Sequence, residues 1–214
     1  MKVEREVAAF LNEQLYPDNE IFKEIIRTDG KKEQLDGSDL IITTSDGKLN
    51  RVVVDEKCAH TWANKPLNSF VLELSHINEN GKEVDGWFIK PDSKTEYYLF
   101  MWVPKADIPF LGYDYRGEKK WDTNLVDRNN IRELEWALVS KKKLVNFLEA
   151  RGWTTEKLRE KNAEIREREG VSEKGYKNGV GFVYISSLAE QPVNVKLEKK
   201  TYMDLSDYNG KIVC

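Results

Sequence analysis

Two aspartates and a lysine on neighbouring apolar runs carry the clearest chemistry in the sequence. Asp39 opens the run Leu40-Ile41-Ile42, and Asp55-Glu56-Lys57 directly continues Val52-Val53-Val54. A strand alternates its side chains between faces, so Asp55 and Lys57 share one face and Glu56 points to the other. The turn Ser45-Asp46-Gly47-Lys48 predicts a β-hairpin that brings the two runs together. Two carboxylates and an ammonium gathered there can hold a hard divalent cation and polarise a phosphodiester. Magnesium takes oxygen ligands and is often held by only one or two carboxylates, which makes Asp39 and Asp55 the candidate metal ligands. Such a cation lowers the pKa of a water and neutralises the scissile phosphate. Lys57 acting as a base would need a depressed pKa, and adjacent carboxylates push the other way. Orientation and charge stabilisation suit it better. The competing reading is a solvated hairpin with ordinary surface charges. Acids standing where a core strand would otherwise be apolar weigh against it.

Other residues are candidates with plainer alternatives. Gln34 could touch the substrate or the cation's water, or bond to loop backbone. Lys141-Lys142-Lys143 lies on the first turn of an expected helix, where ammonium groups and the helix N-terminus could bind backbone phosphate. A solvated face is the alternative. Arg116, Lys119, Lys120 and Trp121 combine cations with an aromatic ring that could stack on a base, or form a solvent loop. Glu73 is either a supporting acid or a structural one. His60 and His76 are isolated and lack zinc-ligand spacing. Cys58 reads as a buried inert thiol, the aromatics of 97–102 as core, and the charged helix at 156–169 as solvated.

The elements that must position these residues follow from periodicity. Val3, Val7, Phe10, Leu11 and Leu15 predict an amphipathic helix over 3–15, and a second helix is expected from an Asp18 cap to about Arg27. The hairpin follows a loop at 28–32. Strands are expected at 70–74, at the short apolar 87–89, at the continuous apolar run 97–103 and at 133–139. Residues 105–130 read as a long loop or surface insertion. Helices are expected from Ser140 to Arg151 and from Thr154 or Thr155 to about Glu169, with strands near 182–185 and 193–197 closing the fold. This order indicates one α/β domain over 1–214, a mixed sheet flanked by helices.

Composition narrows the class. The 214 residues are 40% hydrophobic and 33% charged, as in a soluble globular protein. No run approaches the roughly 20 apolar residues that span a bilayer, and Met1–Glu6 lacks a signal-peptide core, so a cytoplasmic protein without membrane contact is expected. Cys58 and Cys214 are expected as reduced thiols. A net charge of -3 argues against non-specific coating of nucleic acid but leaves room for a local basic groove.

The spacing Asp39 … Asp55-Glu56-Lys57 resembles the PD-(D/E)XK nuclease superfamily, the restriction-endonuclease-like fold. Asp39 matches the first acid, Asp55 the second and Lys57 the lysine, while Ser38 stands where the named proline would be. The flanks are similar to uncharacterised bacterial and phage members: Gln34-x-x-Gly37-x-Asp39, Asn68-Ser69-Phe70-Val71-Leu72-Glu73-Leu74, Gly86-Trp87-Phe88 and Thr95-Glu96-Tyr97-Tyr98-Leu99-Phe100. The likeness covers about 18–104. It implies a Mg²⁺-dependent (or Mn²⁺-dependent) DNA endonuclease, the backbone carbonyl of Glu56 as a further metal ligand, and a homodimer. It also implies a glutamate on the helix before the hairpin, Glu24 in preference to Glu20. The alternatives are an RNA or repair nuclease and a non-catalytic nucleic-acid-binding or interaction protein on a nuclease scaffold.

Overall fold

The computed structural model describes residues 2–17, 19–28, 38–168 and 175–214. Gln34, the Asp18 cap and the expected helix end at 169–170 lie outside those residues. The chain divides into two compact units. One comprises Met1–Leu67, Lys94–Ser140 and Ser206–Cys214, the other Asn68–Ser93 and Lys141–Leu205.

The first unit is built on six strands: β1 (Phe22–Arg27), β2 (Leu40–Thr44), β3 (Val52–Cys58), β6 (Tyr97–Ala106), β9 (Ile131–Ser140) and β12 (Tyr208–Val213). They form a sheet in the order β1-β2-β3-β6-β9-β12 that curls into a half-barrel. All neighbours are antiparallel except β3 and β6. One face carries the core. Leu40 and Ile42 of β2, Val54 of β3, Leu99 and Met101 of β6, and Trp136 and Leu138 of β9 are buried there. Helix α1 (Lys2–Phe10) and the π-helical turn Leu11–Leu15 add Val3, Val7, Phe10, Leu11 and Leu15 to the same core. The alternate residues of the central strands, Tyr98, Phe100, Ala137 and Val139, are buried on the other face, which explains the unbroken apolar reading of 97–103.

The second unit holds a four-stranded antiparallel sheet in the order β10-β11-β4-β5, with β4 (Ser69–Ile77), β5 (Glu83–Asp85), β10 (Val180–Tyr184) and β11 (Val193–Glu198). Helices α2 (Lys141–Glu149), α3 (Thr155–Glu167) and α4 (Lys199–Leu205) belong to it. Helix α3 starts at Thr154, whose hydroxyl accepts from the Lys157 amide, and its Asn162 accepts the Ser75 hydroxyl at 2.7 Å.

The expected helix-flanked α/β core is overturned. The protein is mostly β, with only about a quarter of it helical. A parallel pair normally takes a helical crossover. Here the chain between β3 and β6 instead holds β4 and β5 of a separate sheet. The helix expected to follow Pro17 is strand β1: the β-branched pair Ile25-Ile26 lies opposite Ile42 and Ile41, and pairing with β2 outweighs a weak helical spacing. The irregular reading of 105–130 also needs correction. It contains the two-stranded ribbon β7 (Phe110–Tyr113) and β8 (Lys119–Trp121). Among the described residues no helix is long and apolar enough to cross a membrane.

Candidate active site

The β2–β3 ladder runs Ile42 opposite Val52, Ile41 opposite Val53 and Leu40 opposite Val54. Asp39 and Asp55 are the next residues beyond the end of this ladder. Like charges brought together at the end of a ladder are destabilising, so their approach is not explained by strand stability. Asp39 is anchored by its Oδ2, which accepts the Glu56 amide at 2.7 Å, and its own amide donates to the Val54 carbonyl at 3.0 Å. Asp55 is 4% exposed. Its Oδ1 meets Lys57 Nζ at 2.8 Å on the shared face of β3.

Burial pushes the Asp55 carboxyl up to about 6, opposed by the Lys57 ammonium and reinforced by the Asp39 charge and a hydrogen bond with Asp39. Tyr98 of β6 lies beside Asp55 in the parallel register. Burial, then the Asp55 charge, raises the Tyr98 phenol far above its ordinary range. The site is therefore two acids and an ammonium beside a desolvated aromatic strand, where electrostatic interactions are stronger than in water.

Glu56 points to the opposite, core face. Tyr16 Oη donates to its Oε1 at 2.6 Å, and Arg27 donates from Nη1 to Oε2 at 2.8 Å and from Nη2 to Oε1 at 3.1 Å. Its side chain is committed to this fork, so only its main chain remains to serve a metal. Tyr16 and Arg27 were not singled out in the sequence. The Glu56 position, acidic on the inward face of a strand, was the one signal that a cation had to be buried beside it.

Glu24 departs from expectation. It sits exposed on strand β1, and its carboxylate faces Arg51 at 3.8 Å. Without the expected helix, the one-turn spacing of Glu20 and Glu24 has no meaning. Lys141, Lys142 and Lys143 do open helix α2, which follows strand β9 with no intervening loop. Lys142 is exposed. Lys141 borders a groove of about 260 Å³ in the second unit, floored by Val145, Leu148, Trp153 and Leu158. His76 Nδ1 lies 3.0 Å from Glu73 Oε1. The His60 imidazole is held below its ordinary value by burial, with Glu4 opposing. Cys58 and Cys214 are free thiols, and burial pushes Cys58 up to about 12.

Among the described residues no group of three or more His, Cys, Asp or Glu side chains is gathered for a metal. The available protein donors are the Asp39 and Asp55 carboxylates and main-chain oxygens, which suits a cation that keeps most of its waters. A desolvated carboxyl with a second acid against it is also the arrangement that a cation relieves. The residues present therefore fit a hydrated hard cation and not a zinc site. Against protein-family models, curated proteins and solved structures, the chain finds no match.

Proposed function

We propose that the protein is a metal-dependent phosphodiester hydrolase, a nuclease, acting through Asp39, Asp55 and Lys57. The observation that carries this reading is the cross-strand approach of Asp39 and Asp55, with Lys57 Nζ 2.8 Å from Asp55. The stability of a hairpin gives no reason to bury Asp55 with a second acid, the half-buried Asp39, against it. A site for a divalent cation does.

A hard cation, Mg²⁺ or Mn²⁺, supplies a nucleophilic water at neutral pH and neutralises charge on the phosphate. The chain supplies the rest. Asp39 is held in place by the Glu56 amide, which fixes its carboxylate beside Asp55. Asp55 brings the second carboxylate on a central strand whose position is fixed on both sides by ladders. Lys57, held beside Asp55 at 2.8 Å, would stabilise the charge that develops on the phosphoryl oxygens. DNA is the expected substrate by the resemblance of the site spacing, and RNA or a repair intermediate is the alternative.

The test is cleavage of plasmid, linear duplex, single-stranded DNA and RNA with Mg²⁺ or Mn²⁺, beside Asp55→Asn and Lys57→Ala. The reading expects metal-dependent cleavage of at least one substrate and a loss of 100-fold or more in each variant, on the order of a removed transition-state charge partner. Cleavage that survives in both variants removes the assignment.

A further inference from the structure

From the aromatic ribbon of the first unit we infer a second binding surface, one that takes single-stranded nucleic acid and feeds it to the acidic site. It rests on the proposed function in one respect: the strand bound there is the one the acidic site would cut.

Strands β7 and β8 expose large apolar side chains in a tight space. Tyr115 is 93% exposed, Tyr113 64%, Leu111 59% and Phe110 46%. Such a patch on a soluble protein marks an interaction site. The rings are also organised. Phe110 lies opposite Trp121 and Tyr113 opposite Lys119 in the ladder, and the Phe110 ring stands 5.3 Å from both Tyr113 and Trp121. Cations accompany the rings. The Arg116 guanidinium covers the Tyr115 ring at 5.4 Å, and Lys119 and Lys120 stand exposed on β8. The acids here are turned to structural duty. Asp114 accepts the amides of Arg116 and Glu118, and Glu118 faces Arg116 at 3.6 Å.

The surface connects to the acidic site through one strand. After Lys57 the chain continues along β6. Ala59 donates to the Met101 carbonyl at 2.9 Å, and Asn64 exchanges hydrogen bonds with Ala106, at 2.7 and 2.8 Å. This stretch carries Trp62, 46% exposed, with the Lys65 ammonium over its ring at 5.5 Å. The turn His60–Trp62 packs against the turn Thr123–Leu125, which follows β8. A second ring-and-cation pair thus lies between Lys57 and the ribbon. Lys57 pairs with Phe100, and the ribbon begins at Phe110. Ten residues reach no more than about 35 Å, close to ten nucleotides at the 3.4 Å rise of one strand.

Aromatic faces for bases and ammonium or guanidinium groups for phosphates are the two requirements of a single-strand site. A duplex offers its phosphates but hides its base faces. A second copy of this chain would bring the same cations against these cations. Unpaired bases are therefore the occupant that both the rings and the charges fit.

The experiment is fluorescence anisotropy of a labelled 20-mer of thymidylate with the full chain carrying Asp55→Asn, in EDTA, against a duplex of equal length. With cleavage silenced, failure of the nuclease reading leaves this readout untouched. The inference expects the single strand to bind at least tenfold more tightly than the duplex. Tyr115→Ala, whose side chain is nearly all in solvent and so spares the fold, should weaken single-strand binding about tenfold. Lys119→Ala with Lys120→Ala should lower the slope of log affinity against log salt by about 1.4, at 0.7 per lost phosphate contact. Affinity unchanged within twofold in both variants, or equal binding of duplex and single strand, overturns it. So does a wild-type dimer that Tyr115→Ala converts to monomer without loss of binding.

Discussion

At the level of single residues, Asp55 is the group whose chemistry sets the rest. Its carboxyl is raised from 3.8 to about 6, chiefly by burial. A folded-state pKa above the unfolded one means that this group favours the folded state fully below about pH 4 and loses that contribution as pH rises through 6. The cation-free protein should thus lose about 2–3 kcal/mol from this one site between pH 4 and 7, at 1.36 kcal/mol per unit of pKa. Asp55→Asn should remove that part of the pH dependence and raise stability at pH 7 by about 1–2 kcal/mol, read from urea melts at the two pH values. A variant no more stable than wild type at pH 7 would contradict it. Glu56 makes the opposite case. Its carboxylate is buried but matched by Arg27 and Tyr16. Arg27→Ala leaves that acid buried without its cation and should cost about 3–5 kcal/mol in the same melts. The facing of Asp55 and Lys57, with Glu56 turned away, was legible in the sequence because a strand alternates strictly. The partners of Glu56 were not: Tyr16 and Arg27 lie 40 and 29 residues away, and only tertiary packing joins them.

At the level of elements, the hairpin was readable and the helix before it was not. Turn residues and two apolar runs define β2 and β3 locally. Strand β1 has only three apolar or aromatic residues in six and an ambiguous period, so its fate is decided by the ladder it joins. The same limit hid β12 and α4, which close the two units from the C-terminal stretch. Strand β4 was foreseen from its apolar pattern, but not its membership of a second sheet, because sequence period says nothing about partners. Gly86 marks how tightly that sheet is closed. A Cβ there would stand 2.5 Å from the Glu73 carbonyl oxygen and 2.7 Å from its Cγ. Backbone has to move to admit it, so Gly86→Ala should destabilise by about 2 kcal/mol or more, measured by chemical denaturation. An alanine variant as stable as wild type would mean that β4 and the turn after β5 are looser than described.

At the level of the whole molecule, the error of fold class has a physical source. Alternating helix and strand signals imply helices laid on a sheet, yet in the first unit α1 is the one α-helix among the described residues, and the strands curl to enclose their own core. The positions of the acids survive this change because they depend on one hairpin and its neighbour β6, not on what covers the sheet. A local grouping of side chains can thus be legible where the architecture around it is not. The proposed activity requires that site to accept a hard cation. Titration of Mn²⁺ into the full chain, followed by electron paramagnetic resonance, measures this directly. One Mn²⁺ should bind per chain at neutral pH, weaken about tenfold per unit below pH 6 as Asp55 takes its proton, and be lost in Asp39→Asn and Asp55→Asn but kept in Glu24→Gln. Mn²⁺ binding that is absent from the wild type, or unchanged when either aspartate is replaced, would contradict the central claim.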